Sequence, residues 1–342
     1  MDELTADAPQ LLEGLSEAAL IARGGWVLAA NGAARALLGK SLEGARLDEV
    51  IAHPAALEAL ERSGGDPSEG VELTGLGGSR RHWLIRSARL ANGTKLVRFV
   101  DRSEARAAEQ MRVDFVANAS HELRTPLATL IGYTETLREQ ADEIDPATRE
   151  RFLAVVHDEA LRMQHVVEDL ISLSRIEAEK FTAPTEPVEL QPLIDHALES
   201  ARRMAAGRGS ELIREVGPAL PRIAADPSQI LQLLDNLITN ALRYGEPSTP
   251  VAVSAHAEGA MVHLSVADQG EGIAPEHVAR VTERFYRVDT SRSRSLGGTG
   301  LGLSIVKHIV ERHRGRLSIE SDLGRGTTVH VLLPVAARER VS

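Results

Sequence analysis

Through the middle of the chain apolar residues recur every three or four positions, at Met111, Phe115, Ala119 and Leu123 and then at Leu127, Leu130 and Ile131. Helix formers fill the positions between them. A helix is therefore predicted from Glu104 to about Ala141, with Asp101 or Ser103 as its cap. With Ser103 as the cap, Glu104 falls in the first turn, where its charge suits the helix dipole. A polar break at Asp142–Pro146 separates this helix from a second, over about Ala147 to Lys180. The apolar set of the second is Phe152, Val156, Met163, Val166, Val167, Leu170, Leu173 and Ile176. The repeat of about 3.5 residues is that of a bundle seam. Two long helices joined by a short loop form an antiparallel hairpin, and one hairpin cannot bury such a stripe alone. Two hairpins make a four-helix bundle, so dimerisation follows from the pattern.

The flanking regions have a different texture. Before the helices, the apolar runs Ala18–Ala22 and Trp26–Ala30 are split by Gly24-Gly25, a hairpin signal. Asn31 can cap a short helix ending at Gly39, and His53–Arg62 is a second helical segment. Val71–Leu73, Arg81–Leu90 and Lys95–Val100 read as strands, with Asn92-Gly93 turning between the last two. After the helices, Thr182–Glu189 reads as a linker because of Pro184 and Pro187. Helices are then predicted over Leu190–Arg208, Ser228–Arg243 and Leu303–Arg314. Strands are predicted over Glu211–Val216, Val251–Ala257, Met261–Asp268, Arg316–Glu320 and Thr327–Leu333. The fold class is thus multidomain α+β: an α/β domain over 1–102, a helical hairpin over 103–181, a linker over 182–189 and an α/β sandwich over 190–337.

Composition narrows the chemistry. Only 3% of the 342 residues are aromatic, so the cores rest on Leu, Val, Ile and Ala. The absence of cysteine excludes disulfides, thiolate metal sites and cysteine nucleophiles. A net charge of -10 argues against a protein held on nucleic acid by phosphate neutralisation, while leaving room for a local nucleotide site. The N-terminus lacks a basic region followed by an apolar one, so no signal peptide is visible. The most apolar early stretch, Ala18–Ala30, is broken by Arg23, Gly24 and Gly25. A membrane span needs about 20 consecutive apolar residues. The expectation is a cytoplasmic protein with no span of its own, tied to a membrane only through other proteins or as a truncated membrane sensor.

Candidate chemistry begins at His121, in the string His121–Pro126, HELRTP, midway along the first long helix. Pro126 lacks an N–H and crowds the carbonyl of Glu122, so a kink is predicted there. Neutral imidazole carries a free lone pair near neutral pH and can accept a phosphoryl group. Glu122 is adjacent and acidic, the first candidate for orienting the ring and taking its proton. Thr125 lies four residues on, on the same helix face, where its hydroxyl can hold a water. A lone helical histidine is usually only solvated, so the weight falls on the whole string Phe115–Leu127, FVANASHELRTPL.

Four later segments complete the set. In Asp226–Tyr244, Asn236 and Asn240 share a helix face, and an amide oxygen is a hard ligand suited to Mg²⁺. Asn240 is the metal candidate, and Arg243 and Tyr244 extend that face toward phosphates or base. In Asp268–Ile273, DQGEGI, Asp268 is an acceptor for an adenine amino group, and Gly270 and Gly272 permit tight turns before Ile273. Glu283–Asp289 brings Phe285 and Tyr286 together beside Arg284 and Arg287; packing of a loop is the plain reading there. In Gly297–Val310 a glycine-rich loop opens a helix, and its N–H groups face an anion. Gly298, Thr299, Gly300, Leu301, Gly302 and Leu303 are the candidates from that loop, and Gly324–Val329 offers Thr327 or Thr328 near the base, Thr327 being the first choice.

The Phe115–Leu127 string resembles the H box of the sensor histidine kinases of two-component systems. The later segments, in order, resemble the asparagine, glycine and phenylalanine boxes of that family's ATP domain, a fold (Bergerat or GHKL) shared with DNA gyrase, a heat-shock chaperone family and mismatch-repair ATPases. The resemblance covers about residues 105 to 335 and makes residues 287–299 the ATP lid. Arg243 stands where many relatives carry Lys and keeps the charge. The resemblance implies ATP- and Mg²⁺-dependent phosphorylation of His121, assistance by Glu122, and transfer to an aspartate of a response regulator. It also implies a phosphatase reaction helped by Thr125, and a homodimer. Residues 1–102 resemble a PAS sensor domain, in which His53 and His82 are the only evident haem candidates. The string from Asp101 resembles the phosphate-regulon sensor subgroup. Two other readings stand beside this one. A protein-serine kinase or ATPase on the same fold would need neither His121 nor the hairpin, and a non-catalytic scaffold would not need the intact catalytic positions.

Overall fold

Gly24 and Gly25 both take positive φ, 57° and 82°, the mirror-turn geometry that matches strand twist in a tight hairpin. They join β1 (Ala18–Arg23) to β2 (Trp26–Ala30) as the apolar runs predicted. A computed structural model describes residues 4–62, 70–76, 80–90, 93–140, 143–179, 181–217, 219–288 and 298–336. Asn92 and Asp142, which the pattern placed in turns, and Lys180 lie outside the described residues. The chain divides into two compact units, Met1–Asp114 and Phe115–Ser342.

The first unit contains α1 (Leu4–Glu13), the β1–β2 hairpin, α2 (Gly32–Leu38), α3 (Leu47–Val50) and α4 (Pro54–Arg62). β3 (Gly70–Thr74), β4 (His82–Arg89) and β5 (Thr94–Asp101) follow. The five strands form one antiparallel sheet in the order β2-β1-β5-β4-β3. Leu20, Val27, Ala34, Ile51, Ile85, Val97 and Phe99 fill its core. Asn31 is the polar joint of this unit and is only 1% exposed. Its Oδ1 accepts from the N–H of Ala34 (2.9 Å), capping α2, and from the N–H of Ala19 (3.0 Å). Its Nδ2 donates to the carbonyls of Leu12, Leu15 and Glu17. One side chain therefore bonds to the end of α1 and the starts of β1 and α2, and supplies partners to backbone groups that burial would otherwise penalise.

The long helices are α5 (Ser103–Glu139) and α6 (Pro146–Ala178). Asp145 caps α6, accepting from the N–H groups of Ala147 and Thr148, with Pro146 at the first helical position. α5 runs on through Pro126, whose ring is buried; the proline removes one N–H donor without ending the helix. Tyr133 meets Phe152 edge to face, 4.9 Å between ring centres, across the hairpin.

The rest of the second unit contains β6 (Pro187–Val188), α7 (Leu190–Arg208), β7 (Leu212–Val216), β8 (Ile223–Ala224) and α8 (Pro227–Tyr244). β9 (Val251–Glu258), β10 (Met261–Asp268), α9 (Pro275–Val278), α10 (Gly302–Arg312), β11 (Arg316–Asp322) and β12 (Gly326–Pro334) follow. Five strands form a mixed sheet in the order β11-β12-β10-β9-β7, with only β7 and β9 parallel. Along β10, Val262, Leu264 and Val266 are buried while His263 and Ser265 alternate on the other face. The buried face meets Ile194 of α7, Leu234 and Ile238 of α8, and Ile305 and Ile309 of α10 in one core. Leu173 and Ile176 of α6 belong to the same core. α10 stops at Arg312, two residues before its predicted end, and Arg314 takes positive φ (53°). α1, α3, α9, β6 and β8 were not predicted. Among the described residues no helix is long and apolar enough to cross a membrane.

Replacing Asn31 by Ala leaves the N–H groups of Ala19 and Ala34 and the carbonyls of Leu15 and Glu17 short of this partner. The N-terminal unit is expected to lose roughly 2–4 kcal/mol. Asn31→Asp keeps the acceptor but turns a carboxylate oxygen toward three carbonyl oxygens in a buried place, and should lose at least as much. Denaturant unfolding of the two variants beside the parent measures both.

Candidate active site

α8 carries the centre of the site. Leu233, Leu234, Leu237 and Ile238 turn its apolar face into the core, which leaves Asn236, Asn240 and Arg243 on the opposite face. They line a cavity of about 540 Å³. Asp268 at the end of β10, Thr327 on β12, and Gly272 and Ile273 in the loop after β10 line its far wall. Tyr244, Gly298, Thr299, Gly300, Gly302 and Leu303 complete the predicted residues that reach it.

Backbone geometry holds these walls in place. Gly272 has φ 71°, and a Cβ there would lie 2.1 Å from the carbonyl of Asp322. The loop can pass β11 only with no side chain at that position. A Cβ on Gly302 would lie 2.9 Å from Asn236 Oδ1 and 3.5 Å from Asn240 Nδ2. The first residue of α10 can therefore pack against the two amides only without a side chain, at a helix N-terminus, where anions are favoured. Ile273 N–H donates to Ser321 Oγ (2.8 Å), whose oxygen lies 2.8 Å from Thr327 Oγ1.

The electrostatics fit a base at one end and phosphates at the other. Asp268 Oδ1 accepts from the Gly270 N–H at 2.8 Å, yet burial pushes the carboxyl above its ordinary range. Arg243 is pushed below its ordinary range, first by burial and also by the neighbouring charge of Arg287; Tyr244 and Asp169 oppose this. Arg287 also lines the cavity. Arg243 and Arg287 place two guanidiniums at one wall, positive charge that suits an anionic occupant. The amide oxygens of Asn236 and Asn240 are ligands of the kind Mg²⁺ takes, and Asn236 Nδ2 donates to the Gln232 carbonyl (3.0 Å), which leaves its Oδ1 as the free acceptor.

Two predicted residues do not reach the cavity. Gly270 is buried behind Asp268, and a Cβ on it would meet the carbonyl of Tyr244 at 2.3 Å. Leu301 is fully buried in the core at the start of α10. Gly297, Asp289 and the Ser-Arg run of the expected lid lie outside the described residues.

The HELRTP residues sit on α5. His121 and Thr125 are exposed. The Thr125 hydroxyl donates to the His121 carbonyl at 3.4 Å. Glu122 does something its sequence position did not indicate. Its Oε2 accepts from Arg287 at 2.7 Å and lies 3.6 Å from Arg162 of α6. The Phe285–Tyr286 segment is anchored in the same way. Phe285, with φ 61°, donates its N–H to the Gly300 carbonyl (2.8 Å), and its ring lies 6.0 Å from that of Phe115 on α5. Arg284 stacks over Phe115 and pairs with Glu177 of α6. The plain reading, loop packing, holds for Tyr286, whose hydroxyl lies 2.7 Å from His277 Nδ1, while Phe285 and Arg284 pack against the helical hairpin.

The hairpin also supplies residues that sequence reasoning missed. His165, Glu168 and Asp169 of α6 line the cavity. Asp169 Oδ2 accepts from the Thr299 hydroxyl at 2.9 Å, and burial pushes this carboxyl up. Spacings of three and four place the three on one helix face, which was the only available signal.

Residues 111–179 match the His Kinase A (phospho-acceptor) domain. Residues 225–337 match the histidine kinase-, DNA gyrase B- and HSP90-like ATPase family. The chain is 36% identical over 285 residues to the phosphate regulon sensor protein PhoR of Pseudomonas aeruginosa, covering 83% of this chain and 63% of that protein. It is 38% identical over 231 residues to the sensor protein SrrB of Staphylococcus aureus, covering 66% of this chain and 38% of that protein. The chain therefore spans less than two thirds of either relative. A crystal structure of the histidine kinase ThkA in complex with the response regulator protein TrrA has the same fold, with a TM-score of 0.55 and 19% identity over 97% of this chain and 99% of that one.

Asp268→Asn replaces a charged acceptor by an amide that can present a donor to an adenine amino group. ATP affinity is expected to fall by about 10- to 100-fold, the worth of one hydrogen bond to a charged group. Titration of the purified chain with a fluorescent ATP analogue measures it.

Proposed function

The chain belongs to the sensor histidine kinases of two-component systems, and from that premise we propose that it transfers the γ-phosphoryl group of ATP to His121 and then to an aspartate of a response regulator. The observation that carries this reading is the cavity itself. It joins the face of Asn236, Asn240 and Arg243 to Asp268, and its wall includes Arg287, which holds the residue next to His121.

In this reading Asp268 accepts from the adenine amino group. Asn240, with Asn236, would hold Mg²⁺, which neutralises phosphate charge when bound. The backbone of Gly298, Gly300 and Gly302 and the Arg243 guanidinium receive the phosphates. An imidazole nitrogen of His121 attacks the γ-phosphorus, the P–O bond to the β-phosphate breaks, and ADP leaves with the electron pair. Phosphoryl transfer of this kind rests on positioning and charge stabilisation. Both guanidinium contacts to Glu122 fall on Oε2, and the carboxylate serves as the acceptor for the His121 ring proton through its other oxygen.

The domain division proposed is a PAS-like sensor over 1–102, the phosphotransfer hairpin over 103–181 and the ATP domain over 190–337. A five-stranded antiparallel sheet flanked by helices supports the first. The hairpin is proposed to dimerise. Leu127, Ile131, Leu153 and Ile171 are 46%, 48%, 48% and 50% exposed, an apolar face that a second hairpin would cover. Thr125 is proposed to serve the phosphatase reaction toward the regulator. A serine kinase on the same fold is less well supported, because it leaves the match over residues 111–179 without a use.

Incubation with γ-labelled ATP and Mg²⁺ should give acid-labile, base-stable label in the parent and none in His121→Gln or Asn240→Ala. Label that survives in His121→Gln overturns the assignment. Thr125→Ala should keep autophosphorylation within about threefold and slow dephosphorylation of the partner at least tenfold, on the scale of a lost general acid–base or water-holding group. Equal loss of both activities would remove Thr125 from that role.

A further inference from the structure

The face of the second sheet turned away from the nucleotide carries a row of imidazoles. In the β9–β10 pairing His256 stands directly opposite His263, and Glu258 follows two residues after His256, on the same face. His256 Nε2 lies 3.3 Å from His263 Nδ1, and a Glu258 carboxylate oxygen lies 3.8 Å from that same Nδ1. One ligand atom from each of the three residues lies within 4.8 Å of the other two.

We propose that His256, His263 and Glu258 form a binding site for a divalent transition-metal ion of the zinc class, on the open face of the ATP-domain sheet. Zinc bonds to imidazole nitrogen are about 2.0–2.1 Å, so neighbouring ligands on a tetrahedron stand about 3.3 Å apart, as the two imidazole nitrogens do. The donor set of two nitrogens and one carboxylate selects zinc or its transition-metal neighbours over Mg²⁺ and Ca²⁺. A fourth position is left to water or to a ligand from outside.

The surroundings prepare His263 for this role. Its other nitrogen, Nε2, lies 3.0 Å from His330 Nδ1 on β12, and His330 Nε2 lies 3.6 Å from Glu320 on β11. With His330 Nδ1 as the acceptor, His263 Nε2 carries the proton and the His263 Nδ1 lone pair faces His256. A ligating histidine oriented through its second nitrogen is the usual arrangement at metal centres. The site lies outside the residues that line the nucleotide cavity.

The test uses the full chain after treatment with a chelator. Titration with Co²⁺ as a spectroscopic probe should give a visible d–d band of tetrahedral intensity that saturates at one equivalent and is displaced by Zn²⁺. Zn²⁺ competition against a chromogenic chelator should show one tight equivalent, lost in the His256→Gln, His263→Gln double variant. His330→Gln should weaken binding by about 10- to 100-fold, the usual effect of losing an orienting partner. Binding of an ATP analogue should be unchanged in these variants, which certifies their fold. The protein has 12 histidines, so an equivalent retained by the double variant would lie elsewhere and overturn the proposal. Absence of the Co²⁺ band in the parent overturns it without recourse to any variant.

Discussion

The ion pair between Glu122 and Arg287 is the constraint on which the second unit depends. The Arg287 side chain is only 5% exposed, and a guanidinium so placed must have an anion beside it. Glu122 supplies one at 2.7 Å from the residue next to His121. Arg287 at the same time forms part of the cavity wall, near Arg243. The phosphoacceptor helix and the nucleotide cavity are therefore joined through one buried cation. Phe115 against Phe285, Arg284 with Glu177, and Asp169 with Thr299 reinforce the join. None of these contacts lies inside a single secondary-structure element; each ties the helical hairpin to the α/β layer.

That join also explains an odd residue. Phe285 takes a left-handed backbone conformation, which costs a bulky residue on the order of 1 kcal/mol or more. The conformation lets its N–H reach the Gly300 carbonyl and its ring reach Phe115. The local cost is offset by packing of the Phe285 ring against Phe115.

The sequence showed most elements, because their burial is one-sided and regular. β10 alternates cleanly, α8 separates four buried apolar residues from Asn236, Asn240 and Arg243, and the two long helices carry a bundle stripe. Elements of two or four residues, such as β6, β8, α3 and α9, are too short to show a period. Most of the predicted nucleotide residues converge on one cavity, since each box is local in sequence. Gly270 and Leu301 fall behind the wall, because motif membership does not distinguish a lining residue from one that shapes the lining. The contributions of Asp169, His165 and Glu168 were illegible for a different reason. They depend on how the hairpin meets the α/β layer, and that meeting is set by contacts more than 100 residues apart in sequence, such as Thr299 with Asp169.

The most direct measurement is a double-mutant cycle on the pair, with Glu122→Gln, Arg287→Ala and the double variant compared by autophosphorylation rate at saturating ATP. A working Glu122–Arg287 link requires strong non-additivity, an interaction of about 1–2 kcal/mol, which is roughly 5- to 30-fold in rate. The double variant should then be little different from the more affected single one. Single effects that multiply to within about twofold would mean that the two residues act independently, and that the helix and the cavity are not joined through this contact.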